Sequence, residues 1–214
     1  MTEKLDELKQ LVVTGDREKK APDMVRELLD EGEKVDKILN DALIPAMELA
    51  GQRFEEKEFF VPELIIAARA MDRSIEVIRP LLEKSGISKR GTLVLGTVKG
   101  DQHDIGKNLA KMMFKGAGFE VIDLGHDVSV EKFVDAVMEN SADVVGMSAL
   151  LTTTMIQMGD VVKRLDEVGW RDKTIVIIGG APVSREYADK IGADIYAATA
   201  PGGVELVKER LKAS

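Results

Sequence analysis

Apolar side chains recur every three to four residues through the first 85 positions of the chain, which is the spacing of one face of a helix. Four such stretches predict four helices, and their inward faces begin at Leu5, Met24, Val35 and Leu64. Pro45 lies inside the third stretch, and we expect a kink there because proline lacks the backbone N–H that a helix interior uses. Four helices joined by short loops predict a small N-terminal bundle.

The pattern changes after residues 85–91, a polar segment that contains two glycines. We place a domain boundary here, with a helical domain over 1–87 and a second domain over 88–214. Beyond the boundary, short β-branched runs alternate with stretches of helical periodicity. The predicted order is strand 92–98, helix 104–115, strand 119–124, helix 129–140, strand 143–148, helix 152–168, strand 174–179, helix 183–191, strand 193–197 and helix 202–212. Five such units predict an α/β fold, a five-stranded parallel, doubly wound sheet with helices on both faces.

Composition narrows the class of protein. The chain has 214 residues and a net charge of −8, and so acidic a chain disfavours a nucleic-acid partner, which requires a basic face. It has no cysteine, which excludes a disulfide framework, a thiolate metal site and a cysteine nucleophile. No apolar run approaches the roughly 20 residues of a membrane span, and the charged N-terminus lacks the apolar core of a signal peptide. We therefore expect a cytoplasmic protein with no membrane partner.

The segment after the first predicted strand concentrates chemically active side chains. Residues 99–108 read Lys-Gly-Asp-Gln-His-Asp-Ile-Gly-Lys-Asn, and ligands of open α/β sheets bind outside the carboxyl ends of the strands. The imidazole of His103 lies between the carboxylates of Asp101 and Asp104. One carboxylate can accept the proton of one ring nitrogen, which leaves the other nitrogen as a lone pair for a metal or a proton. By itself, this motif is also typical of a solvated surface loop.

Two further elements follow at defined distances. From Gly106 to Ser148 there are 41 intervening residues (107 to 147), and Ser148-Ala-Leu150 follows. From Leu150 to Gly179 there are 28 (151 to 178), and Gly179-Gly180 follows. Each element ends a predicted strand, so all three are expected at one edge of the sheet.

This three-part pattern resembles the cobalamin-binding signature Asp-x-His-x-x-Gly, Ser-x-Leu, Gly-Gly. The signature occurs in cobalamin-dependent methionine synthase, in the base-off mutases and in the corrinoid proteins of methyltransferase systems. The resemblance covers nearly the whole chain and implies a helical cap followed by a Rossmann-like (flavodoxin-like) domain. It also implies cobalamin, a cobalt corrinoid, bound base-off, with His103 as the lower axial metal ligand in place of the cofactor's own dimethylbenzimidazole.

The resemblance assigns roles residue by residue. His103, Asp101 and Thr154 would form the catalytic relay, in which Thr154 stands where methionine synthase has a serine. Ser148 and Thr152 would line the pocket for the nucleotide tail, and Ser148 would bind the displaced base. The full set of implied cofactor contacts is Gln102, His103, Asp104, Ile105, Gly106, Ser148, Leu150, Thr152, Thr154, Gly179 and Gly180. The glycines would let a bulky ligand approach the backbone closely.

Several residues keep a second interpretation. The threonines at 152–154 could instead cap the following helix, and we favour that role for Thr153. His126 lacks an Asp-x-His frame and is interpreted as a surface residue near the corrin rim. Phe59, Phe60 and Val61 could either cover the upper face of the corrin, as the bundle does in the family, or form ordinary bundle core.

The resemblance implies a methyl carrier, the small corrinoid subunit of a system for methanol, methylamines, betaines or methoxylated aromatics. A substrate-specific methyltransferase would load the methyl group, and a second methyltransferase would pass it to coenzyme M or tetrahydrofolate. A reductive activase would be a further partner. The methyl donor is selected by the partner enzyme, and the resemblance alone does not name it.

Three alternatives belong to other classes. The cobalamin subunit of a carbon-skeleton mutase would carry the same signature without needing the N-terminal helices. A cobalamin-dependent photoreceptor or regulator would need an output module, such as a basic helix-turn-helix, which the acidic N-terminal half does not offer. A receiver-type signalling domain shares the topology but would leave the spacing of the three motifs unexplained.

Overall fold

The computed structural model describes residues 2–16, 19–85 and 89–213. The chain divides into two compact units, one of Met1–Lys89 with Gly116–Gly118 and one of Arg90–Lys115 with Phe119–Ser214. Residues 86–88 of the predicted boundary segment lie outside the described residues, and the limits 1–87 and 88–214 stay a prediction.

The first unit is helical. Its helices are α1 (Thr2–Val13), α2 (Lys20–Asp30), α3 (Val35–Ile38), α4 (Ile44–Glu55) and α5 (Val61–Ser85). Helices α3 and α4 are joined by a π-helical segment, Leu39–Leu43, so the predicted third helix is one helix with a distortion before Pro45. The backbone N–H of Ile44 bonds back to the carbonyl of Leu39, and Pro45, which has no N–H to donate, follows directly as the second residue of α4.

Most of the apolar positions predicted to face inward are buried, and others, such as Met24 and Val35, are partly buried. The core side chains of this unit include Leu8, Leu28, Ile38, Met47, Leu64, Met71 and Ile78. Within the described residues, no helix of either unit is long and apolar enough to cross a bilayer.

The second unit is built on a parallel sheet. Its strands are β1 (Thr92–Thr97), β2 (Glu120–Asp123), β3 (Val144–Ser148), β4 (Ile175–Gly179) and β5 (Ile195–Ala197), and its helices are α6 (Ile105–Gly116), α7 (Val130–Glu139), α8 (Gln157–Glu167), α9 (Arg185–Ile191) and α10 (Ala200–Ala213). The described strands pair in the order β2-β1-β3-β4-β5, and every pair is parallel. The predicted α/β architecture is confirmed.

One predicted element begins later than expected. The helix expected from residue 152 begins at Gln157, and residues 151–156 form turns. β-Branched threonines have low helix propensity, and the hydroxyl of Thr154 bonds outside the helix, so the chain stays in turns here. The favoured capping role of Thr153 is wrong, because the residue before α8 is Ile156 and it makes no side-chain cap hydrogen bond.

Candidate functional site

The three sequence elements meet at the carboxyl edge of the sheet. Strands β1 and β3 are neighbours, and Thr97 pairs with Ser148 at their carboxyl ends. Ser148 pairs in turn with Gly179 of β4. The chain proceeds from β1 to β2 on one side and from β3 to β4 on the other, so the edge between β1 and β3 is the switch point at which open α/β sheets form a ligand crevice.

Asp101 is the centre of this edge. Its side chain is fully buried, and its Oδ1 accepts hydrogen bonds from the backbone N–H of His103 at 3.0 Å and from the Nδ1 of His103 at 2.7 Å. Its Oδ2 accepts from the backbone N–H groups of Leu150 at 2.8 Å and Leu151 at 3.3 Å, and from the hydroxyl of Thr154 at 2.7 Å. One carboxylate thus joins the loop after β1 to the loop after β3.

These contacts decide the charge of Asp101. Burial alone would raise the pKa of its carboxyl group. The hydrogen bonds from the Thr154 hydroxyl, from the Leu150 amide and from His103 outweigh the burial, so the pKa lies well below its usual range. Asp101 is therefore an anion at neutral pH and acts only as a hydrogen-bond acceptor.

The charge of Asp101 in turn fixes the proton on His103. An acceptor-only carboxylate at Nδ1 requires the proton on Nδ1, which leaves Nε2 as the lone-pair nitrogen of the neutral ring. The side chain of His103 is 52% exposed, and Nε2 makes no hydrogen bond to the described residues. The backbone carbonyl of His103 accepts from the hydroxyl of Thr97 at 3.0 Å, which fixes the loop beneath the ring. No motif in the sequence marks Thr97 for this contact.

The second flanking carboxylate has a different role. Oδ2 of Asp104 accepts from the side-chain amide of Asn108 at 3.0 Å, and its backbone carbonyl accepts the N–H of the same residue at 2.8 Å. Asp104 therefore stabilises the start of α6, and the imidazole of His103 is held by Asp101.

The start of α6 is open on its outer side. Ile105 is 77% exposed, and Gln102 is also exposed. A Cβ atom added at Gly106 would meet nothing within 4 Å. The protein itself therefore does not need glycine at this position, and the absence of a side chain leaves room for a ligand.

The loop after β3 offers polar and apolar contacts that the protein does not use. The hydroxyls of Ser148 and Thr152 make no hydrogen bond to the described residues. Leu150, Leu151 and Ile156 are 45%, 41% and 57% exposed. Free hydroxyls beside exposed aliphatic side chains suit a ligand that is both large and partly polar.

Packing within the protein itself accounts for the glycine pair at the end of β4. Gly180 has a φ of +130°, and a Cβ there would lie 1.8 Å from the carbonyl oxygen of Ala149. A Cβ at Gly179 would lie 3.0 Å from the carbonyl oxygen of Ala197. Gly180 is thus required by close backbone packing at the strand end, apart from any ligand, whereas a side chain at Gly179 would need the neighbouring backbone to shift by a few tenths of an ångström.

Of the two histidines, His126 is exposed and makes no hydrogen bond to the described residues. Its neighbour Asp127 also follows a strand end, but no motif in the sequence marks it for a structural role. Oδ1 of Asp127 accepts from the N–H of Gly100 at 2.7 Å, and its own N–H donates to the carbonyl of Asp101 at 3.1 Å.

In the helical unit, Phe59 and Phe60 differ in their exposure to solvent. Phe60 is 65% exposed, which rules out a core role for it within the unit. The ring of Phe59 is partly exposed, and the guanidinium of Arg53 lies 5.3 Å from its centroid. The proposed contact of Phe59, Phe60 and Val61 with a corrin stays a prediction.

Family models relate these features to known proteins. Models described as B12 binding domains match residues 91–207 and residues 4–79. The first match contains every element of the Asp101–His103 edge described above.

Similar proteins match nearly the whole chain. A corrinoid protein of Desulfitobacterium hafniense (strain Y51) is 41% identical over 210 residues, which are 97% of this chain and 97% of the relative. Trimethylamine corrinoid protein 2 of Methanosarcina mazei is 41% identical over 202 residues, or 94% of this chain and 93% of the relative. Among solved structures, the methanol:cobalamin methyltransferase complex MtaBC of Methanosarcina barkeri matches with a TM-score of 0.87 and 26% identity, over 99% of this chain and 81% of that one. This chain therefore belongs to the family of B12-binding corrinoid proteins, and its cofactor is cobalamin.

Proposed function

We propose that this chain is a corrinoid methyl carrier that binds cobalamin base-off, with Nε2 of His103 as the lower axial ligand of cobalt. The observation that carries the proposal is the pairing of Nδ1 with the buried carboxylate of Asp101 at 2.7 Å. This pairing leaves Nε2 as the free donor nitrogen, and imidazole nitrogen is a good ligand for cobalt.

The surrounding residues suit a corrin and its tail. The space beside Gly106 admits a bulky ring, and the exposed side chain of Ile105 offers apolar contact to it. The free hydroxyls of Ser148 and Thr152 provide hydrogen-bond partners for the displaced base and the nucleotide tail.

When bound, cobalamin supplies a cobalt centre that accepts and donates a methyl group. The protein holds and moves a proton next to it. Nε2 of His103 would hold the cobalt, and the Asp101 carboxylate at Nδ1 would stabilise a positive charge on the ring if Nε2 carried a proton in place of the metal. The Thr154 hydroxyl steadies the carboxylate through a 2.7 Å hydrogen bond and is also within 3.0 Å of the Leu151 carbonyl.

The proposed partners follow from the family. A substrate-specific corrinoid methyltransferase would load the methyl group, and a second methyltransferase would transfer it to coenzyme M or tetrahydrofolate. A reductive activase would restore cofactor that has become oxidised. The names of the relatives, which include methylamine corrinoid proteins and a methanol methyltransferase complex, support a methylated amine or alcohol as the upstream donor.

The chain offers a direct spectroscopic test because it has only two histidines. The protein is grown with ¹⁵N-histidine and reconstituted with cobalamin, and the electron paramagnetic resonance (EPR) spectrum of the Co(II) state is recorded. We expect the triplet splitting of an axial ¹⁴N ligand to become the doublet of ¹⁵N. His103→Ala should abolish the splitting, and His126→Ala should preserve it. A triplet that persists after labelling would assign the axial nitrogen to the cofactor's own base and end the His-on proposal.

A further inference from the structure

The segment after β2 contacts the His103 loop, residues 98–104, at its beginning. Asp127 accepts the N–H of Gly100 at 2.7 Å with its side chain and donates its own N–H to the carbonyl of Asp101 at 3.1 Å. Asp127 has a φ of +54°, a backbone conformation that aspartate and asparagine tolerate better than other non-glycine residues. Asp127 thus bonds to the N–H of Gly100 and to the carbonyl of Asp101, on both sides of the peptide bond that joins these two residues.

Asp123, the last residue of β2, contacts the chain just after the His103 loop. Oδ1 of Asp123 accepts from Nζ of Lys107 at 2.6 Å, and Oδ2 accepts from Nζ of Lys111 at 2.8 Å. The side chain of Lys107 is only 2% exposed, and its Nζ also donates to Oδ1 of Asn108 at 2.8 Å. These ion pairs fasten the first turns of α6, which carry Gly106, to the end of β2.

The segment between these two aspartates is itself fixed. The carbonyl of Gly125 accepts the N–H of Thr97, and the carbonyl of Thr97 accepts the N–H of Val128, both at 3.0 Å. The N–H of Gly125 also donates to Oδ1 of Asp123 at 3.0 Å. Residues 123–128 are therefore joined by hydrogen bonds to the end of β1, and we call this segment the β2 brace.

We propose that Asp127 and Asp123 are positioning residues, which hold the His103 loop from the β2 brace at its two ends and keep Nε2 of His103 in the orientation that an axial ligand needs. A ligand constellation must be held to within about 0.5 Å and 10–20° by its supporting residues. Asp101 is held by its side-chain bonds and by its N–H, which donates to the carbonyl of Val98 at 3.1 Å. Asp127 adds a bond to the preceding Gly100, a residue with a φ of +82° and no side chain to anchor it.

The ligand in this inference rests on the proposed function, whereas the brace is a property of the free protein. The first test therefore uses the full-length protein without cobalamin and measures amide hydrogen exchange of Gly100 and His103 by NMR. Asp127→Ala should speed the exchange of both amides by about 3- to 10-fold, since one net hydrogen bond is lost. Asp127→Asn should restore wild-type exchange, because asparagine keeps the acceptor oxygen and tolerates the positive φ.

The second test measures the same variants after loading with cobalamin. Asp127→Ala should lower the ratio of His-on to His-off Co(II), read from the EPR splitting, by about 3- to 10-fold, and Asp127→Asn should keep it. Asp123→Asn should lower the ratio as well. Because this variant leaves the buried Lys107 short of one charge partner, the double variant Asp123→Asn with Lys107→Met, which removes both charges, is measured beside it.

The control is Asp194→Ala. Asp194 accepts the N–H of Val176 at 2.8 Å and pairs with Arg171 at 2.9 Å, so its loss also removes a backbone bond and an ion pair from the same unit. Its loss should lower the melting temperature without changing the EPR ratio. The inference is overturned if the Asp127 and Asp123 variants behave like this control, or if exchange at Gly100 and His103 does not change. If the wild-type protein binds no cobalamin, the proposed function fails, and amide exchange alone decides whether the brace exists.

Discussion

Asp101→Asn changes one atom of the buried carboxylate and should change the proton position on His103. The substitution keeps the shape of the side chain but replaces one acceptor oxygen with an NH₂ donor. The Oδ2 position of Asp101 receives three donors, from Leu150, Leu151 and Thr154, so we expect the amide oxygen to take that side. The NH₂ group then lies against the backbone N–H and the Nδ1 of His103.

This arrangement forces the proton of the neutral imidazole onto Nε2, the nitrogen that is proposed to bind cobalt. Nδ1 can accept a hydrogen bond from the amide only if the proton of the neutral ring is on Nε2, and a protonated Nε2 cannot bind cobalt. The loss of such a supporting contact at a metal site commonly reduces affinity or activity about 10- to 100-fold. The backbone N–H of His103 also loses its acceptor, at a cost of about 1–3 kcal/mol in the free energy of unfolding.

The assay separates the two effects. The ratio of His-on to His-off Co(II) is read from the EPR splitting and should fall about 10- to 100-fold. The free energy of unfolding is measured by urea titration of the cofactor-free protein, with Asp194→Asn as a control for the same chemical change at another bonded aspartate. If Asp101→Asn retains the axial nitrogen with wild-type stoichiometry, the tautomer argument is refuted, whatever happens to stability.

Three further predictions test the same edge. Thr154→Val removes the hydroxyl that donates to Asp101 and should shift the His-on ratio about 3- to 10-fold, whereas Thr154→Ser should retain the wild-type value. Gly106→Ala should weaken cobalamin binding without lowering the melting temperature, since its Cβ meets nothing in the protein, and Gly180→Ala should destabilise the free protein by about 3 kcal/mol because of its backbone contact. The Asp123 pKa is lowered to about 2; burial opposes this, but Lys107 and Lys111 outweigh it. The stabilisation by Asp123 should therefore be complete above about pH 4 and be lost as the pH falls toward 2, so that wild type and Asp123→Asn converge in urea titrations.

Much of the fold is encoded locally. Runs of β-branched residues and the helical spacing of apolar residues mark each strand and helix without reference to distant parts of the chain. This is why the α/β order and the distortion before Pro45 were predictable. The start of α8 at Gln157, rather than at residue 152, was not, because it depends on a bond from Thr154 to Asp101, which is 53 positions away in sequence.

The chemistry of the site divides in the same way. The sequence by itself determined the identity and spacing of the motif residues, and hence the resemblance that points to His103. The resemblance already assigned Asp101 to His103. Only the tertiary structure decided how Asp101 is held, because the backbone N–H groups of Leu150 and Leu151 that bond to it lie 49 and 50 positions away in sequence. Backbone donors have no side-chain signature, so neither the low pKa of Asp101 nor the bond from Asp127 to Gly100 can be read from residue types. These contacts exist because the fold brings the ends of β1, β2 and β3 to one edge of the sheet.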